Sequence, residues 1–114
     1  MDLRQRIENQ VCVLNATGDL MLDEVEKFQN YLQPLVVDGE FSHLLLNLQQ
    51  VQRIDSSGVG SLVCLFKALQ KQSKGLRLCH CNKILTEIFQ MLRLELIIPI
   101  ESSEQVALSN LLGA

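Results

Sequence analysis

The chain has 114 residues, 47% of them hydrophobic and 20% charged, with a net charge of −3. That length makes one domain, residues 1–114, large enough to build a core without metal or disulfide support, and the apolar content excludes intrinsic disorder. No cluster of Lys or Arg supplies the footprint of a polyanion binder, which excludes nucleic acid as a partner.

The apolar runs at 44–46 and 94–100, the second broken by Glu95, are far shorter than the roughly 20 residues that cross a bilayer, so no membrane insertion is expected. Arg4 and Arg6 near the start are not followed by the apolar core of a signal peptide, and cytoplasmic residence is the expectation. The four cysteines, Cys12, Cys64, Cys79 and Cys81, each fall in an apolar segment and read as buried, reduced thiols. Cys79-His80-Cys81 in a strand would put both thiols on one face and the imidazole on the other, and no Cys-x-x-Cys pair completes a set, so no metal site is expected.

In chain order, residues 3–8 and 11–16 carry short apolar segments around Glu8-Asn9-Gln10 and predict a hairpin. Thr17-Gly18-Asp19 ends the second strand. Asp23-Glu24-Val25-Glu26 resembles a capping box, with Asp23 at the helix start and Glu26 reaching back; Val25, Phe28 and Leu32 continue at helical spacing, and Pro34 marks the end or a step beyond it. Residues 43–50 are almost continuously apolar, the pattern of a central strand covered on both faces.

Beyond the turn at Asp55-Ser56-Ser57-Gly58, the positions of Val59, Leu62, Val63, Phe66 and Leu69 predict a helix that Gly75 stops. A strand is expected at 76–81 and a helix at 83–93, with Ile84, Ile88 and Leu92 aligned on its inner face. Leu96-Ile97-Ile98 reads as a short last strand. Ser102-Ser103-Glu104-Gln105 then opens a helix whose Ala107, Leu108, Leu111 and Leu112 dock on the core. This order implies an α/β fold, a small mixed sheet of four to five strands flanked by about four helices, with parallel crossovers.

Sites in such sheets gather at the carboxyl ends of the strands, where Gly18-Asp19 and Ser56-Ser57 both fall. Ser57 would stand at a helix N-terminus, where free backbone N–H groups and the helix dipole favour an anion such as phosphate. Ser, Asp and Gly are equally the ordinary residues of a helix cap. Neither serine has the Gly-x-Ser-x-Gly context of a hydrolase nucleophile, and neither His43 nor His80 is expected in a strand-end loop, so the chain does not read as an enzyme. Gly58-x-Gly60 lacks the rest of a dinucleotide or P-loop motif, and no cofactor is expected.

Leu44-Leu45-Leu46-Asn47-Leu48, Val51 and Ile54-Asp55-Ser56-Ser57-Gly58-Val59-Gly60 together resemble the signature of STAS domains of the anti-sigma factor antagonist type. Gly18-Asp19-Leu20 is similar to that family's Gly-x-Leu loop, and residues 101–108 resemble its final helix, so the resemblance spans essentially the whole chain. It implies partner switching. The unphosphorylated domain would bind an anti-sigma factor that is also a serine kinase, phosphorylation at Ser57 would release it, and a serine phosphatase would restore the first state. Gly18, Asp19, Asp55, Ser56, Gly58 and Gly60 would form the partner-binding surface. STAS domains of this kind also imply an alternative, a constitutive scaffold or accessory subunit of a stress-signalling or lipid-transport complex. Two departures stand out: Met21 replaces a carboxylate common after Gly-x-Leu, and Arg93-Leu94 replaces a Gly-Leu pair, which implies a different end for the helix before it.

Overall fold

The computed structural model describes residues 1–112. Its elements are β1 (Asp2–Glu8), β2 (Val11–Thr17), α1 (Leu22–Asp38), β3 (His43–Gln50), α2 (Ser56–Lys71), β4 (Gly75–Cys79), α3 (Lys83–Met91), a 3-10 turn (Leu94–Leu96), β5 (Ile100–Glu101) and α4 (Glu104–Leu111). The five strands form one mixed sheet in the order β1-β2-β3-β4-β5. β1 is antiparallel to β2, and every later pairing is parallel. Asn9 and Gln10, both at positive φ, close the β1–β2 hairpin with the left-handed backbone that such two-residue turns require.

Strand alternation divides the core. Cys12, Leu14 and Ala16 of β2, Leu44, Leu46 and Leu48 of β3, and Leu76 and Leu78 of β4 share one face with the inner sides of α1, α2 and α3. The opposite face buries Val11, Val13, Leu45 and Cys79 beneath Ala107, Leu108 and Leu111 of α4 alone. β3 reads as continuously apolar because both faces are covered. Its one buried polar residue, Asn47, is satisfied by Glu104 Oε2 and the Gln49 amide, each at 2.9 Å.

Several local expectations are corrected. Pro34 lies inside α1 rather than at its end. The helix runs on because Phe28, Leu32 and Val36, spaced by four, all seat in the core, and that burial outweighs the lost N–H of one proline. α1 starts at Leu22, one residue before Asp23, and neither Asp23 nor Glu26 forms the expected capping box; the N-cap is Met21, which makes no side-chain cap bond. α2 ends at Lys71. Ser73 takes the left-handed turn, and Gly75 opens β4, where a Cβ would lie 2.5 Å from the His43 ring. Lys74 donates to the Val36 and Gly39 carbonyls at 2.9 and 2.8 Å, placing a cation on the negative end of α1.

β4 ends at Cys79, so His80 lies in a strand-end loop, contrary to the sequence reading, and Cys81 is outside the strand. Burial pushes the Cys79 and Cys81 thiols up to about 12, which makes them unreactive packing groups. Cys64 is exposed, against expectation, at the lip of the groove between α1 and α2. The expected last strand at 96–98 is instead the end of a 3-10 turn: Ile97 and Ile98 both donate to the Leu94 carbonyl, which buries Leu94 and Ile98 together. The last strand forms two residues later. Leu112, just past the end of α4, stays exposed while Ala107, Leu108 and Leu111 dock.

α3 is rotated relative to the expectation. Leu85 and Phe89 are fully buried, whereas Ile84 is 57% and Leu92 54% exposed. Arg93 keeps the left-handed backbone, φ 56°, that a glycine would adopt, so α3 ends in the same way as with Gly-Leu. Phe89→Ala should cost about 3–5 kcal/mol in denaturant unfolding, by lost burial plus a cavity. Ile84→Ala should cost under about 1 kcal/mol, because its side chain already meets water; the reverse ranking would restore the sequence-based face.

Candidate functional site

Three loops leave the carboxyl ends of parallel strands and meet at one end of the sheet. The β2–α1 and β3–α2 loops run side by side as an extension of the sheet. Gly18 N donates to Gln50 O at 3.1 Å, Leu20 N to Arg53 O at 3.0 Å and Asp55 N to Leu20 O at 3.4 Å, with a parallel bridge between Leu20 and Ile54. Asp19 locks the pair from the side. Its carboxylate accepts Arg53 N at 3.2 Å and Arg53 Nε at 2.8 Å, with the guanidinium NH2 also 2.8 Å away. Asn82 ties in the third loop, donating to the Val51 and Gln52 carbonyls while its Oδ1 caps α3 at Leu85 N, 2.8 Å. Arg53 and Asn82 were not singled out by sequence. The Asx-type cap of Asn82 before a helical run was the available signal for the second.

The centre of the site is Asp55. It is the N-cap of α2, where Oδ1 accepts the Gly58 amide at 2.9 Å, and its Oδ2 accepts the Leu22 amide, also at 2.9 Å, the first residue of α1. One carboxylate therefore caps two helices. The cap that Asp23 was expected to supply, and that Met21 cannot, comes from a residue 33 positions away. The Gly58 amide first, and then the Leu22 and Ser57 amides, hold Asp55 below the usual carboxylate range, because each stabilises the ionised form.

Ser56 and Ser57 occupy the first two helical positions after this cap; Ser56 is exposed and Ser57 partly so. Among the described residues neither hydroxyl takes part in a side-chain hydrogen bond, whereas the buried Ser61 donates to Gly58 O at 2.6 Å. Gly58 is buried and cannot itself meet a partner. A Cβ there would fall 2.2 Å from Leu20 O and 2.6 Å from Ile54, so glycine lets α2 press against the other loop. Gly60 is exposed with open space where a side chain would stand, and Gly18, at φ 110°, permits the reversal before Asp19. The structure brings Gly18, Asp19, Asp55, Ser56, Ser57 and Gly58 onto one platform, with Gly60 on the next exposed turn of α2.

His80 serves the other side of the sheet. Its Nε2 accepts the Glu104 amide at 3.1 Å, and Ser103 Oγ caps the same helix at Val106 N. That bond commits Nε2 to the start of α4. Among the described residues no group of three or more His, Cys, Asp or Glu side chains is placed to hold a metal ion, and no helix is long and apolar enough to cross a membrane.

A five-stranded mixed sheet with Ser57 presented on a glycine-backed helix start defines the class. The STAS domain model matches residues 3–107, and the chain belongs to that family. It is 30% identical to the anti-sigma-B factor antagonist of Bacillus subtilis (strain 168) over 105 residues, covering 92% of this chain and 93% of the relative. It is 24% identical to the anti-sigma F factor antagonist of Paenibacillus polymyxa over 113 residues, 97% of each. In structure it is similar to unphosphorylated SpoIIAA, an anti-sigma factor antagonist, with a TM-score of 0.75 at 17% identity, covering 99% of this chain and 100% of that one. The phosphorylated form of the Bacillus cell-fate determinant SpoIIAA gives 0.72 at 18% identity, covering 96% and 99%.

Asp55→Ala removes both caps and should lower the thermal midpoint by roughly 4–8 °C or more; Asp55→Asn keeps one acceptor and should lose less. Because the folded carboxyl is held below its unfolded value of about 3.9, its stabilisation is complete above that value and is lost as pH falls through the folded one. The difference between wild type and Asp55→Asn, followed by chemical denaturation, should therefore be flat from neutral to mildly acidic pH and shrink below about pH 4. A difference that grows on acidification would contradict the double cap.

Proposed function

We propose that this STAS domain is an anti-sigma factor antagonist that works by partner switching, with Ser57 as its phosphoacceptor. The observation that carries the reading is a partly exposed hydroxyl at the second position of α2, on a turn fixed by Asp55, Asp19, Arg53 and Asn82. The names of the relatives point the same way: two are anti-sigma factor antagonists, and SpoIIAA occurs in unphosphorylated and phosphorylated forms.

The physics favours a surface switch over a folding switch. A phosphoserine adds roughly −1.5 to −2 charges at neutral pH. At Ser57 these lie at the positive end of the α2 dipole, which accommodates them, so the domain need not unfold. A partner packed on Gly18, Asp19, Asp55, Ser56 and Gly60 meets that charge beside the Asp55 carboxylate and must desolvate it. A penalty of about 3 kcal/mol lowers affinity roughly a hundredfold. The partner is an anti-sigma factor with serine-kinase activity, and a serine phosphatase restores the first state. The domain is then the substrate of catalysis and not a catalyst, and it works in the cytoplasm.

Incubation with ATP and the anti-sigma serine kinases of its own organism should add one phosphate, read by intact mass, that Ser57→Ala does not acquire. Ser57→Ala should keep the kinase bound, and Ser57→Asp should weaken it about a hundredfold in a titration. No phosphate from any such kinase, with binding unaffected by Ser57→Asp, would favour the constitutive scaffold.

A further inference from the structure

The apolar arc of α3 is wider than the sheet can cover. At 100° per residue, Leu85 and Phe89 point into the core, while Ile84, Ile88 and Met91 lie roughly a quarter to a third of a turn round, with Leu92 between. The 3-10 turn extends this ridge through Leu96 and Ile97. Five of the eleven exposed large apolar side chains among the described residues fall within 84–97, and they are between 49% and 80% exposed, Met91 the most. The fold does not need them, since Leu85, Phe89, Leu94 and Ile98 already close the core beneath. A concentration of this kind marks a contact surface.

Charge indicates what covers it. Lys83, Glu87, Arg93 and Glu95 border the ridge, two of each sign, so it is neutral in a chain of net charge −3. None of the four enters an ion pair among the described residues. A two-fold contact sets a patch against itself, and a patch carrying equal numbers of both signs meets its own copy without net repulsion. The loop platform, with Asp19, Asp23, Glu24 and Asp55 against Arg53, does not satisfy that condition. A lipid surface would call for a basic border. The five side chains offer roughly 600 Å² per copy, close to the ~800 Å² per partner of a standard interface once flanking residues are included.

We propose that the ridge of Ile84, Ile88, Met91, Leu92, Leu96 and Ile97 is a two-fold interface between two copies of this chain. It lies on α3 and the 3-10 turn, whereas Ser57 lies on α2, so the pairing goes beyond the serine switch and does not depend on it.

Sedimentation equilibrium from low to high micromolar protein tests this, with wild type, Met91→Glu, Leu96→Glu and the double variant compared at low and high salt. The expected result is a wild-type dimer that high salt does not dissolve, weakened at least about tenfold by each substitution and absent in the double variant. Circular dichroism should be unchanged, and so should the thermal midpoint at concentrations low enough for wild type to be monomeric, because both side chains face water in the monomer. Wild type that stays monomeric throughout, or a dimer that survives the double substitution, overturns the proposal. If the monomeric wild type also binds an anti-sigma factor that Met91→Glu releases, the ridge belongs to that partner instead.

Discussion

The whole carboxyl end of the sheet depends on one carboxylate. Asp55 accepts the Gly58 amide in the first turn of α2 and the Leu22 amide that begins α1, so two helices from different crossovers share a single origin. Each helix leaves its first N–H groups unpaired, and a buried or crowded helix start without acceptors is unstable. Placing one acceptor between two starts fixes their relative position as well as satisfying them. The close approach of Gly58 to Leu20, and the Leu20–Ile54 bridge, then follow from how tightly the two loops are drawn together.

The rest of the sheet supports that junction unevenly. Three helices cover one face, and α4 alone covers the other, near its β4 side. There the polar cluster of Asn47, Glu104, Arg6 and His80 ties α4 to β1, β3 and the loop after β4. Asn47 is the hinge of this arrangement: its amide bonds Glu104 across the layer while its carbonyl holds the Gln49 amide at the end of β3, just before the loop that carries Asp55. α4 thus stabilises the strand from which the serine turn departs. Asn47 is buried, so its polar atoms need these partners, and Glu104 and the Gln49 amide supply them.

Much of this was legible in the sequence where the determining information is local. The hairpin follows from short apolar segments on either side of Glu8-Asn9-Gln10, β3 from its continuous apolar run, and the α2 start from Asp55 and the serines after it. The family signature then placed those elements in one mixed sheet. What was misread depends on distant partners. The true cap of α1 is 33 residues away, so the nearest acidic residue, Asp23, looked like the cap. Pro34 signals a helix end locally, but tertiary burial of Val36 carries α1 past it. Nothing local marks Arg53; its role comes from Asp19, which only the fold sets against it. The α3 face failed for another reason: with Leu85, Phe89, Ile84, Ile88 and Leu92 all apolar, periodicity alone allows either of two rotations, and only the shape of the sheet selects one.

The same features that made the serine turn legible suit it to the proposed role. A modification that alters binding while leaving the fold intact needs an exposed acceptor on a platform whose own bonds do not use it. Ser57 meets the second condition because Asp55, Asp19, Arg53 and Asn82 hold the loops without recruiting its hydroxyl. It meets the first because Ser57 is partly exposed and the exposed Gly60, on the same turn of α2, leaves open space where a side chain would stand. A phosphate added there gains the helix dipole but encounters an Asp55 carboxylate already committed to two amides. That carboxylate cannot turn away without uncapping both helices. The new charge is therefore directed outward, toward whatever rests on the platform, which is the condition for a switch read at the interface.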